Sequence, residues 1–118
     1  MYNENLLLGR ELVSIALIDD EIIIETVDVG VFKLYDDGQS CCEARYITTD
    51  DTLEVENGSR LISINIKDAP NVETEDDLDV HEIQFLELVT TSWTYTFCTH
   101  VIHNGYYGGF DVKLERVE

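Results

Sequence analysis

From Trp93 to His100 the side chains alternate in a way that only an extended backbone can use. Trp93, Tyr95, Phe97 and Thr99 fall on one face of a strand, and Thr94, Thr96, Cys98 and His100 on the other. One face is bulky and apolar, the other small and polar until Cys98 and His100. Elsewhere the apolar residues come in similar strand-length runs, at Glu11 to Ile18, Glu21 to Val27, Val31 to Tyr35, Arg60 to Lys67, Glu82 to Thr91 and onward from Phe110. Turn signals separate them: Asp19-Asp20, Asp28 to Gly30, Asp37-Gly38, Gly58, Thr91-Ser92 and Asn104-Gly105. This pattern predicts a mainly β chain with a small α content. It is a single domain over residues 1–118, with antiparallel strands in a meander-like sheet or small sandwich and one or two short helices.

Several details follow. The first three strands form a meander, in which Ile22-Ile23-Ile24 implies burial on both faces or a homodimer interface. Ile62, Ile64 and Ile66 are expected on one face of their strand. In HEIQFLELVT the apolar phase shifts between Ile83/Phe85 and Leu86/Leu88, which a bulge or two-sided burial would accommodate. Asn3 or Asn5 can cap a helical turn through Leu6 to Leu8 stopped by Gly9, and Thr49 or Asp50 a short helix ahead of Leu53 and Val55. Residues 68–80 hold the lone proline and almost no apolar mass, and are expected to form an acidic loop.

At 118 residues with 44% hydrophobic content, the chain is long enough for one core without disulfides or metal. No apolar run approaches the roughly 20 residues that span a bilayer. The N-terminus lacks the basic start of a signal peptide, so the expected location is the cytoplasm. Charge is the outlying property: 25 acids against 7 bases give a formal net charge of −18. Such a surface repels nucleic acid and anionic membranes and attracts basic protein surfaces.

Cysteine and histidine are scarce and unevenly placed. Cys41, Cys42, Cys98, His100 and His103 form the candidate metal set, which suits a structural zinc, with His81 or a carboxylate completing it. Their spacing matches no finger or knuckle pattern, and packed or surface residues are the alternative. A thiol nucleophile built from Cys42 or Cys98 has no recognisable activating turn, so no enzyme activity is expected. The segment NGYYGG runs between strands and lacks the Lys and Ser/Thr of a phosphate loop. A ligand pocket at Tyr106 and Tyr107, with Arg45 pairing a phosphate, is the remaining small-molecule site.

The segments LLLGRELVSIAL, YDDGQSCCEARYITTDD, HEIQFLEL and THVIHNGYYGGF cover nearly the whole length. With them the chain resembles a family of small, acidic, uncharacterised proteins of bacteriophages and prophages. The resemblance implies a compact β-rich domain with a phage accessory role and assigns no residue a task. Joined to the charge, it leads to the expectation of a non-enzymatic inhibitor of a bacterial CRISPR or restriction nuclease in the host cytoplasm. Such an inhibitor blocks nucleic-acid loading through an acidic surface. The candidate contacts are Asp50, Asp51, Glu54 and Glu56, with Glu73, Glu75, Asp76, Asp77, Asp79 and Glu82. A binder of a nucleotide signal and a zinc-stabilised interaction module are the alternatives.

Overall fold

The computed structural model describes residues 7–38, 44–68, 72–73, 80–103 and 110–117, the side chains at 72, 73, 80 and 103 excepted. Nine strands follow in chain order: β1 Leu12–Ile18, β2 Glu21–Thr26, β3 Val31–Asp36, β4 Ala44–Thr48, β5 Leu61–Asp68, β6 Val72–Glu73, β7 Val80–Thr90, β8 Thr94–His103 and β9 Val112–Arg116. All pairings are antiparallel. One sheet has the order β1-β2-β3-β9 and the other β4-β8-β7-β5, with β6 added along β7. Buried faces of both sheets meet in one core, built from Ile22, Ile24, Phe32 and Leu34 on one side and Leu86, Leu88, Tyr95 and Phe97 on the other.

The meander is set by its first turn. Asp19 and Asp20 both take positive φ, 50° and 61°, the conformation of a two-residue hairpin whose twist matches its strands. Ile22 and Ile24 then point inward, while Ile23 is half-buried on the other face. Asp20 has a second task, because its carboxylate accepts a hydrogen bond from the Ile47 amide of β4 at 3.1 Å. At its other end β1 meets β5, where Glu11 bridges Arg60 and the Leu12 amide donates to the Ser59 carbonyl at 2.8 Å. β4 and β5 are the two ends of the second sheet, so the first sheet lies across it from edge to edge.

Each strand at the β1/β5 corner carries an extra residue. Pairing slips between Leu12 and Ser14 and between Leu61 and Ser63, which bends both strands. The bulge at Ile62 splits the expected Ile62/Ile64/Ile66 face: Ile64 and Ile66 share the inward side opposite Leu88 and Leu86, Leu61 enters the core in place of Ile62, and Ile62 is left 54% exposed. In β7, by contrast, pairing with β8 runs unbroken from Val80 to Val89. Its phase shift is real but needs no bulge, since Leu86 and Leu88 are buried inward while Ile83 and Phe85 sit on the outward face, Phe85 37% exposed.

No helix forms among the described residues, and Asn3, Asn5 and Leu6 of the expected N-terminal turn lie outside them. At the N-terminus the Arg10 amide closes a single turn on the Leu7 carbonyl, with Gly9 at φ 80°. Ahead of Leu53 and Val55 there is no helix for Thr49 or Asp50 to cap: Thr49 directs its hydroxyl to β8 and Asp50 is exposed. The expected acidic loop at 68–80 contains structure too: Asp68 ends β5, and Val72–Glu73 pairs with β7 as β6. No helix among the described residues is long and apolar enough to cross a membrane.

Where β3 ends, an ion pair joins the two sheets. The Arg45 guanidinium of β4 lies 2.8 Å from the Asp36 carboxylate, with side chains only 12% and 4% exposed. The other Asp36 oxygen accepts the amides of Gly38 and Asp111 at 3.0 and 2.9 Å. Gly38 packs closely on this pair: a Cβ there would stand 2.7 Å from the guanidinium nitrogen, so the Arg45 head would have to shift.

Candidate functional site

After Thr48 the chain leaves β4, yet its side chains go on serving the β8 edge. The Thr49 hydroxyl donates to the Thr96 carbonyl at 2.7 Å, and the Asp51 carboxylate accepts the Thr96 amide at 2.6 Å. The Asp51 amide in turn donates to the Thr49 hydroxyl, a short side-chain turn of the kind threonine forms readily. Three residues on, the Tyr95 hydroxyl donates to the Glu54 carbonyl. The segment is thereby held along the end of the second sheet by Thr49 and Asp51, with Asp50, Glu54 and Glu56 left exposed.

Opposite it stands the β7–β8 turn. Thr90 closes that turn on Trp93 through its amide and hydroxyl, at 2.9 and 2.6 Å, and the indole, one residue short of β8, is 58% exposed. Between turn and segment lies a cavity of about 420 Å³ lined by Asp50, Asp51, Glu54, Glu56, Trp93 and Tyr95, among others. A smaller one of about 130 Å³ shares Asp50 and Asp51 and is walled by Phe85, Thr96 and Cys98.

The larger cavity is acidic because six of the seven bases are engaged elsewhere. Arg10 pairs with Asp28, Lys33 with Glu21 and Glu115, and Arg45 with Asp36. Arg60 pairs with Glu11, Lys67 with Glu87, and Lys113 with Asp37 and Asp111. Among the described residues no base forms an ion pair with Asp50, Asp51, Glu54 or Glu56. Their field is felt nearby: burial first, then Glu56, Asp51 and Glu54, push the Tyr95 phenol above its ordinary value. Burial and then Asp50 raise the Cys98 thiol, which keeps it protonated and a poor nucleophile.

On the outward face of the second sheet three rings gather. Tyr46 stacks on His100 with centroids 4.4 Å apart and planes 9° from parallel. Nε2 of His81 and Nδ1 of His100 share a hydrogen bond at 2.9 Å, and Nε2 of His100 shares another with the Thr48 hydroxyl at 2.8 Å. Both ring nitrogens of His100 are therefore engaged, which leaves it no lone pair for a metal. Among the described residues no group of three or more His, Cys, Asp or Glu can hold a metal ion. Of the expected zinc set, Cys98 and His100 do share this face, whereas Cys41, Cys42 and the His103 side chain lie outside the described residues.

Burial, and then His81, lower the His100 pKa from its ordinary value of 6.5. The folded chain thus resists a proton that the unfolded chain accepts. The stability of the wild type relative to His100→Asn is expected to be complete above about pH 6.5 and to fall as pH drops toward the depressed folded value. Urea unfolding of both proteins at about pH 7.5 and 5.5 measures that difference.

The remaining candidates are distributed as follows. Asp50, Asp51, Glu54 and Glu56 come together as one lining. Glu82 lies half-buried on the inward side of β7, opposite Val101. Glu73 belongs to β6, and Glu75, Asp76, Asp77 and Asp79 fall outside the described residues. Arg45 is drawn to Asp36 and shielded beneath Gly38, and Tyr106 and Tyr107 lie outside the described residues. By alternation Trp93 falls on the bulky apolar face with Tyr95 and Phe97, yet in the structure only those two are buried. Its place directly after Thr91-Ser92 is the signal that it belongs to the turn instead.

No curated protein and no solved structure matches the chain. A family model does match it, over residues 5–112, a span that takes in the second sheet, the acidic cavity and the first sheet up to the start of β9. The chain belongs to the family of that model, described as a domain of unknown function, DUF7448.

Proposed function

We propose that this chain is a non-enzymatic binding protein whose acidic cavity docks a basic protein surface. The surface we assign to it is the one through which a bacterial defence nuclease, of CRISPR or restriction type, takes up nucleic acid. A phage-encoded inhibitor working in the host cytoplasm would act in this way, by steric and electrostatic blockade. One observation carries the reading: among the described residues, four carboxylates that form no ion pair with a base line one cavity beside an exposed indole, while six of the seven bases are paired elsewhere. Lysine and arginine suit that lining, since the carboxylates supply charge and Trp93 a ring face for a cation.

The test is interference with a nuclease. Purified chain is titrated into a panel of CRISPR and restriction nucleases, and guide or target binding is followed at low and high salt. Expected is loss of nucleic-acid loading that weakens as salt rises. The variant Asp50→Lys/Glu54→Lys/Glu56→Lys should bind the nuclease on the order of 100-fold less well, because three attractions become repulsions. Asp51 is spared because it holds the Thr96 amide. Binding that is indifferent both to salt and to the triple variant would end the electrostatic reading.

A further inference from the structure

We propose that the docking surface continues from the acidic cavity across the outward face of the second sheet. The segment it takes carries an apolar side chain beside its lysines or arginines. This inference rests on the proposed function and specifies the partner's chemistry.

Charge is the first observation. The register places Thr48, Cys98, Phe85 and Lys67 in one outward row, Tyr46, His100 and Ile83 in the next, and Thr96, Glu87 and Asn65 on the other side. Apart from the histidines, Lys67 and Glu87 are the charged residues of this face among those described, and they neutralise each other at 3.1 Å. In a chain of net charge −18, a whole sheet face is thus free of net carboxylate.

Shape is the second. The cavity of about 130 Å³ opens among Phe85, Thr96 and Cys98, with Asp50 and Asp51 at its other side. Those two acids also line the larger cavity, so the acidic and neutral surfaces share a border. A cavity of about 150 Å³ holds a benzene ring, so this one suits a single aliphatic side chain. Phe85, more than a third exposed in the middle of a paired strand, is the apolar wall awaiting it.

Together these select one occupant. Nucleic acid is repelled by the border acids, and a second copy would bring another strongly negative surface against them. A peptide segment with an apolar side chain flanked by cations satisfies both parts, the cations lying in the acidic cavity and the apolar group against Phe85.

Two synthetic heptapeptides test this against the full-length chain, one of four lysines alternating with three glycines, the other with its central glycine replaced by leucine. Affinity and amide shift changes are read by NMR. Both peptides should shift Asp50, Glu54 and Trp93. The leucine peptide should also shift Phe85, Thr96 and Cys98 and bind about tenfold tighter. Phe85→Ser, or Cys98→Met filling the cavity, should abolish that gain and leave the glycine peptide unaffected.

Equal affinity of the two peptides, or a gain that survives both variants, would overturn the extension while leaving the acidic cavity as a basic-surface site. Failure of both peptides to bind would instead remove the proposed function itself. Sedimentation showing a dimer of the chain alone that Phe85→Ser dissociates would assign the face to a second copy and overturn the proposal.

Discussion

Asp36→Ala is expected to cost about 3–5 kcal/mol of unfolding free energy, the largest loss from any single charged residue of this chain. The replacement takes from Arg45 the carboxylate 2.8 Å away, in a site where both side chains are largely shielded from water. It also strips the acceptor from the amides of Gly38 and Asp111, and a buried donor left unmade is itself expensive. Urea unfolding of Asp36→Ala, Arg45→Met and the double variant Asp36→Leu/Arg45→Met tests the origin of the effect. Each single change should be severe and the double change milder than their sum, because removing both charges removes the desolvation problem. Additive losses would mean that the pair does not couple the sheets.

Phe97→Ala should be comparably damaging, at about 3–5 kcal/mol, through the cavity it opens. Phe97 is fully buried and sits opposite Leu86 in the register, while Phe85, opposite neighbouring Cys98, faces outward. The contrast makes the prediction strict. Phe85→Ala removes the same side chain one residue along in the ladder, and at a partly exposed position its effect should stay within about 1 kcal/mol. Chemical denaturation of the two variants side by side measures both. Similar losses would mean that the outward face of the second sheet is covered in solution.

Much of this fold is legible in the residues themselves. The alternation through Tyr95 to Thr99 reports a strand with one buried face, because a pleat of period two leaves few other arrangements. Asp19-Asp20 reports a tight hairpin, because aspartate tolerates positive φ and the flanking runs are apolar. Information that depends on a neighbour is not legible in this way. Nothing local to Ile62 announces a bulge, which arises where β5 turns the corner toward β1. Thr49 and Asp51 have the chemistry of helix caps, and the same oxygens serve equally well along a strand edge that lacks a partner strand. The site divides along the same line. Asp50, Asp51, Glu54 and Glu56 are conspicuous as acids near one another in sequence. The contributions of Trp93 and Phe85 come from a turn and a register that only the assembled sheet defines, and Arg45 finds Asp36 across two sheets.

The paired bulges near the β1/β5 corner have a consequence for life at high concentration. An open strand edge is a template on which another chain can add, and runs such as IALI and LISINI have the composition that grows into fibres. An extra residue in each of these edges breaks the even spacing of donors and acceptors that templating requires. The kink falls within LISINI at Ile62 and just before IALI at Val13, so it works against edge-to-edge addition even where salt has screened the mutual repulsion of the carboxylates.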